Sequence, residues 1–315
     1  MMKSLRKVGI AGLFSFLFLG LAACGASSTD TAVDDTSPDD TEVVAEFPVT
    51  VGDLTLEVRP ERIVSLSPTA TEMLFAVGAG DQVIAVDNYS NFPAEAAKLE
   101  KVDSFEPNVE AIAGLEPDLV IATYDPGNLV EQLNALDIAV FFAGAVADLD
   151  GAYEQLEQIG ALTGHLDHAQ EIAAQMRADI DAIVASVDPA AAELSYFYEL
   201  DPTLYSVTSN TFIGGVMSLF GLTNIADGVE EGNDYPQLSA EVIVEKNPDI
   251  IMLADTLCCE QTAATVAARD GWADLAAVQN GNIVELNDDI ASRWGPRLVD
   301  LVRTVADAVT AALGA

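Results

Sequence analysis

The chain is short of histidine, cysteine and positive charge. Its two histidines, His165 and His168, sit three residues apart at the start of a predicted helix, away from any predicted strand end. A zinc or manganese receptor usually needs about three imidazoles and a carboxylate, so that reading is the weaker alternative and no metal site is expected. Hydrolytic machinery is missing as well. No G-x-S-x-G elbow, histidine at a strand end or phosphate loop occurs, and "GAGDQV" at 78–83 is only a glycine turn. An extracytoplasmic enzyme is therefore a remote alternative, because a nucleophile needs a base beside it. Thirteen lysines and arginines face 51 acids, for a net charge of −38. That balance argues against nucleic acid and anionic lipid as partners.

The few cations are unevenly placed. Lys3, Arg6 and Lys7 precede an uncharged apolar run from Val8 to Ala23. The run is shorter than the roughly 20 residues of a membrane span and fits a secretory leader. It ends in Leu21-Ala22-Ala23-Cys24, which resembles a bacterial lipobox, with Cys24 as the lipid-bearing residue. Residues 1–23 are then a lipoprotein signal peptide. Its removal takes away three cations and no acid, moving −38 to −41. Residues 24–47, rich in Ser, Thr and Asp, read as an acidic tether too polar to order itself. The expected location is outside the cytoplasm, lipid-anchored to the bacterial cell membrane, or in the outer membrane and periplasm of a two-membrane cell. Contact with the membrane is expected through the N-terminal lipid only.

Apolar runs alternate with helical patterns from residue 60. "RIVSLS" (62–67), "QVIAVD" (82–87), "DLVIAT" (118–123) and "IAVFFAG" (138–144) read as buried parallel strands. Helical segments lie between them at 70–77, 108–114 and 128–136, a βαβ pattern. A strand-free region follows from Leu149 to Val187. Its first helix ends near Thr163-Gly164. Its second, 167–187, carries Ile172, Met176, Ile180, Ile183, Val184 and Val187 at helical spacing, and Pro189 stops it. Strands resume with "LSYFYEL" (194–200), "NIAD" (224–227), "DIIMLA" (249–254) and "NIVELN" (282–287), and 295–313 reads as a last helix. This gives an N-terminal lobe at 48–148, a helical connector at 149–188 and a C-terminal lobe at 189–315.

The two lobes share a repeat. "VEAIAGLEPDLVIA" (109–122) aligns without a gap on "AEVIVEKNPDIIML" (240–253) at an offset of 131. Glu110 falls on Glu241, Ile112 on Ile243, Pro117 on Pro248 and Asp118 on Asp249. Each copy reads as helix, Pro-Asp turn and buried strand, the Asp side chain being free to bond the backbone beyond it. The predicted fold class is α/β, with two Rossmann-like lobes of parallel sheet joined by a single long rigid helix and a ligand cleft between them.

Ligands of such sheets sit beyond the carboxyl ends of the strands. The candidates there are Ser67, Thr69, Tyr89, Phe92, Tyr124, Asp125, Glu199, Asp201, Tyr205, Thr256, Cys258, Cys259, Arg293 and Trp294. The aromatics suit a bulky, partly apolar small molecule, and the polar groups orient it. Beyond Arg293 and Arg297 this lining has no cation, which favours a neutral or cationic ligand over an anionic catecholate.

The order of these motifs carries a family resemblance. "RIVSLSPTATEMLFAVGAGDQVIAVDNYSNFPAEA" followed by "NVEAIAGLEPDLVIA" resembles the helical-backbone binding proteins of ABC importers, which take vitamin B12, ferric siderophores or haem. "NYSNFPAEA", "YPQLSAE" and "SRWGPRLVDL" are most similar to the cobalamin branch. The resemblance spans roughly residues 58 to 312. It implies a monomeric, non-catalytic protein with no intrinsic cofactor, whose ligand is a cobalt or iron chelate and whose partner is an ABC permease dimer with its ATPase. It adds three wall aromatics: Tyr89, Phe105 where the cobalamin branch has tryptophan, and Tyr235. It also gives Glu110 and Glu241 a role as the acids that dock on the two permease subunits.

With Cys24 lipidated, Cys258 and Cys259 can pair only with each other or with another molecule. The repeat sets them on Gly127 and Asn128, at the cleft mouth. A vicinal disulfide forming a stiff apolar edge is the expectation, and two free thiols in a turn remain the alternative.

Overall fold

The structure, a computed structural model, describes residues 47–314. Cys24, the signal peptide and residues 24–46 of the tether lie outside the described residues. The described chain opens with a hairpin of β1 (Val49–Val51) and β2 (Leu54–Leu56), turned at Gly52. Neither strand was expected from the sequence, since three residues of half-buried backbone carry too little periodicity to show.

A parallel sheet follows, made of β3 (Ile63–Leu66), β4 (Val83–Asp87), β5 (Glu100–Val102), β6 (Leu119–Ala122) and β7 (Ala139–Phe142), in the order β5-β4-β3-β6-β7. Its helices are α1 (Pro68–Ala76), α2 (Val109–Gly114) and α3 (Leu129–Asn134). Strands β3 and β6 are buried along their whole length, which is why they read as unbroken apolar runs. The connector is α4 (Leu149–Thr163) and α5 (Leu166–Ser186). The second lobe holds β8 (Ser195–Glu199), β9 (Thr223–Asn224), β10 (Ile250–Leu253) and β11 (Ile283–Glu285), parallel in the order β11-β10-β8-β9. Helices α6 (Phe212–Ser218), α7 (Ala240–Lys246), α8 (Thr256–Cys259), α9 (Ala263–Ala267), α10 (Ala276–Gln279), α11 (Asp288–Ala291) and α12 (Leu298–Leu313) complete it.

Helix α5 runs 21 residues, about 30 Å at the α-helical rise. It buries Ala169, Ala173, Met176, Ile180 and Ile183 against α4 and α12. Where α4 meets α5, a Cβ on Gly160 would lie 2.3 Å from the Ala169 Cβ, so only glycine lets the two helices approach this closely. One continuous core runs from Met73 and Leu156 through Met176 to Tyr198 and Val302, covering both sheets and the connector.

The repeat has a structural counterpart. Asp118 accepts from the backbone N–H of Glu61 and Arg62, both at 2.9 Å, just ahead of β3. Asp249 accepts from the Ser195 N–H and hydroxyl, both at 2.8 Å, at the start of β8. Each Asp therefore ties the entry of its own strand to that of the neighbouring one, not to the backbone beyond the turn. Strand pairing decides this, because the adjacent strand's first N–H is the donor within reach.

Candidate functional site

The first sheet grows from β3 outward to β4 and β5, then returns to β6 and β7 on the other side. This reversal opens a crevice at the carboxyl end of β3, the usual ligand position in such sheets. A cavity of about 390 Å³ lies there, within the range of small-molecule sites. Ser67, Thr69, Tyr89, Phe105, Tyr124, Arg293 and Trp294 line it, together with Leu66, Pro68, Ser104, Thr123, Asp289 and Ser292.

Three of these form an aromatic deck. Tyr89 meets Phe105 edge-on at 5.7 Å, and Phe105 stacks on Tyr124 at 6.0 Å. Each ring is more than half exposed, at 57%, 59% and 59%. Singly such exposure is ordinary, but three rings in contact make an apolar patch that asks for a partner. Two aspartates fix the deck. Asp87 accepts from the Tyr89 N–H at 2.7 Å. Asp103 accepts from the N–H groups of Phe105 and Glu106, both at 2.9 Å, and those bonds hold its carboxyl below the usual range.

Below the deck the lobes are joined by charge. Glu72 of α1 is buried and accepts from Arg293 at 2.8 Å and from Arg297 at 2.9 and 2.5 Å. Arg293 also donates to Asn91 at 3.0 Å, to the Tyr89 carbonyl at 3.0 Å and to Asp289 at 2.5 Å. Two guanidinium groups thus meet two carboxylates, so the burial is compensated. Asn91 donates to Asp289 at 2.7 Å, and the Trp294 indole N–H donates to Gln155 at 2.8 Å. Glu72 was not expected from the sequence, whereas Asp289 lies in the stretch 288–294 that follows the last strand. A lone acid inside the apolar "TATEMLFAV" was the available signal for Glu72.

Other expected residues stand elsewhere. Phe92 does not face the cavity. It lies in a separate groove with Phe75, Pro93 and Pro296, where the Arg297 guanidinium covers its ring at 4.2 Å. Glu199 is also a correction. The last residue of β8, it is fully buried, holds Arg269 by two bonds of 2.6 Å and does not line the cavity. Asp125 accepts from the Val130 N–H in the first turn of α3, and Asp201 accepts from Thr203. Thr256 spends its hydroxyl on the Leu286 carbonyl and Asp288. Tyr205, which pairs with Gln237 across an antiparallel bridge, and Tyr235 are exposed. Both belong to the second lobe and do not line the cavity. Cys258 and Cys259, also outside its lining, are joined by a disulfide with Cα atoms 3.8 Å apart.

Next to Glu199, Asp255 is fully buried. Burial first, then the Glu199 charge, pushes its carboxyl up to about 7. Glu110 and Glu241 hold the same place in each lobe, the second residue of α2 and of α7, and both are exposed. Asn108 caps α2 at the Ala111 N–H as Ser239 caps α7 at the Val242 N–H. The Glu241 carboxyl is held below its usual range by its own backbone N–H and by Ser239. His165 bonds Arg59 at 2.8 Å, and His168 faces Glu171.

A family model described as periplasmic binding protein matches residues 63–290. A cobalamin-binding protein of Halobacterium salinarum is 35% identical over 283 residues, covering 85% of this chain and 76% of that one. An uncharacterized ABC transporter substrate-binding lipoprotein of Bacillus subtilis, YvrC, is 30% identical over 315 residues, covering 95% and 96%. Among solved structures, the periplasmic vitamin B12 binding protein BtuF of Vibrio cholerae matches at a TM-score of 0.67 and 30% identity, over 81% of this chain and 99% of that one. A periplasmic heme-binding protein of Roseiflexus, RhuT, shares the fold at a TM-score of 0.69 and 22% identity, over 80% and 98%.

Proposed function

The chain belongs to the periplasmic binding protein family, and on that premise we propose that it captures a bulky corrinoid or similar metal chelate for an ABC importer. The observation that carries this is the exposed deck of Tyr89, Phe105 and Tyr124 at the switch point of the first sheet. A flat, partly apolar molecule gains by covering three contiguous rings. Its charge class follows from the cations. Arg293 and Arg297 are consumed by Glu72 and Asp289, and Lys101 donates to the carbonyls of Ser90 and Asp87. The site therefore offers an anionic chelate little free positive charge, and a neutral or cationic one is preferred. A corrinoid meets both conditions, and a ferric hydroxamate meets the charge condition. Tyr205 and Tyr235 are proposed as the facing wall, reached when a ligand larger than the cavity fills the cleft.

Delivery is part of the same proposal. Glu110 and Glu241 present one acid on each lobe for a two-subunit permease with its ATPase, and Cys24 carries the lipid that keeps the protein at the membrane. The role is binding without catalysis.

The test is tryptophan fluorescence. Of the two tryptophans, Trp272 is buried in the second lobe and Trp294 borders the cavity. Cyanocobalamin is expected to quench saturably, with most of the signal lost in Trp294→Phe. A response to none of cyanocobalamin, a ferric hydroxamate and haemin rejects the ligand class.

A further inference from the structure

Sheet order sets the neighbours at the mouth of the second lobe. With β11, β10 and β8 side by side, α8 emerges between α11 on one flank and the Leu200–Tyr205 turn on the other. Helix α8 is unusual in what holds it. None of its four residues is buried, and neither core cluster of this lobe includes one. Hydrogen bonds, including those from Thr256 to the Leu286 carbonyl and from Gln261 to the Cys259 carbonyl, and a disulfide fix it instead. The Asp288 carboxylate accepts from the N–H of Thr256 at 2.8 Å, of Leu257 at 3.0 Å and of Cys258 at 2.8 Å. The Cys258–Cys259 disulfide then closes the last turn, just before the left-handed Glu260 (φ 56°). Between the pin and the disulfide stands Leu257, 60% exposed. Asp288 in turn begins α11, whose next residue, Asp289, lines the ligand cavity.

We infer that the turn of Leu257, Cys258 and Cys259 is an apolar rim of the ligand site whose grip depends on the disulfide, so that a dithiol reductant weakens ligand binding. The inference rests on the corrinoid-type ligand proposed above. Cys258 is exposed, and exposed disulfides are the labile ones. The thiolate of the reductant attacks the Cys258 Sγ, the S–S bond breaks, and Cys259 leaves as a thiolate that takes up a proton. The second thiol of the reductant then displaces Cys258, which also leaves as a thiol. The pair has gained two electrons and two protons, and the reductant departs as a disulfide. With the ring open, hydrogen bonds to Asp288 and Leu286 and from Gln261 are what restrain a segment that has no core contacts. A ligand resting on it must then bear the cost of ordering it.

The test uses the purified protein, titrated with cyanocobalamin in the oxidised form and after reduction on a resin-bound dithiol that is removed before ligand is added. Intact mass should rise by about two hydrogens on reduction, as the exchange stoichiometry requires. The reduced protein and Cys258→Ser/Cys259→Ser are expected to bind at least about fivefold more weakly, with reoxidation restoring only the native protein. The Cys258→Ala/Cys259→Ala pair guards against a folding defect peculiar to serine. By linkage, the ligand must favour the disulfide by the same factor, so a tenfold difference moves its midpoint potential about 30 mV more negative at saturation. Equal affinities, within twofold, overturn the inference and leave the ligand assignment standing. Binding to neither form overturns both.

Discussion

Replacing Glu72 with glutamine keeps the shape of the side chain and removes its charge, and the structure gives a size for the consequence. Glu72 is the shared acceptor of Arg293 and Arg297, with side-chain exposures of 1%, 7% and 19% in that order. Removing one partner of a buried pair typically costs about 3–5 kcal/mol, because the other charge stays buried without compensation. Arg293 retains Asp289, Asn91 and the Tyr89 carbonyl, so the lower end, about 3 kcal/mol, applies. Arg297 loses both of its carboxylate bonds but reaches water at its edge. For a folded unit of this size a kcal/mol moves Tm by roughly 2–4 °C, so Glu72→Gln should melt roughly 6–12 °C below the wild type. Arg297→Met should cost only about 1–2 kcal/mol, since Glu72 then keeps Arg293 and the lost charge is the most exposed of the three. Thermal melts followed by circular dichroism measure both. A Glu72→Gln protein melting within 2 °C of the wild type, or a larger loss in Arg297→Met, would refute the account of the junction.

Phe105→Ala removes the middle ring of the deck, and about 1.5–3 kcal/mol of apolar burial against a ligand corresponds to cyanocobalamin binding roughly 10- to 100-fold weaker by calorimetry. Its Tm should hardly move, because the ring is exposed, and an unchanged affinity counts against the deck. Asp255, with its carboxyl pushed up to about 7, keeps its proton in the folded state over a range where the unfolded chain has lost it. Stability from this group is therefore undiminished below about pH 4, falls as pH rises towards 7 and stays low above it. Asp255→Asn should gain in Tm relative to the wild type at pH 8 compared with pH 5, and a gap independent of pH contradicts the assignment. Glu110→Lys combined with Glu241→Lys should abolish uptake while cyanocobalamin affinity stays within twofold, and normal uptake removes the docking role.

Strands buried on both faces were the most legible part of the chain. β3, β6 and β10 lie inside their apolar runs to within a residue or two, since a parallel strand covered on both faces has no polar alternation to blur it. β5 was missed because it is an edge strand whose "EKV" is largely exposed. The "NIAD" strand moved to Thr223–Asn224, where only two residues pair with β8. For the site, the rule that ligands sit at strand ends found Tyr89 and Tyr124 but could not tell which way a terminal side chain turns. Glu199 and Phe92 follow the same rule and do not line the cavity. The Glu72 cluster joins residues 221 and 225 positions apart, and no local pattern encodes such a pairing. The deck required Phe105, which the strand-end rule alone did not supply and the family resemblance did.

The internal use of arginine has an outward effect. Arg177, Arg269, Arg293 and Arg297 are held by acids, and Arg59, Arg62 and Lys101 by backbone oxygens. Carbonyls carry no net charge, so among the described residues Arg59, Arg62 and Lys101 join Lys98, Lys246 and Arg303 as the few cations left to offset the acids. Seen from a distance, the folded protein is close to a uniform polyanion. Two copies approaching one another repel once they come within about a Debye length, about 8 Å at physiological salt. Crowding many copies onto one patch of surface becomes easier as salt rises, and only a strongly cationic surface draws a copy in from afar.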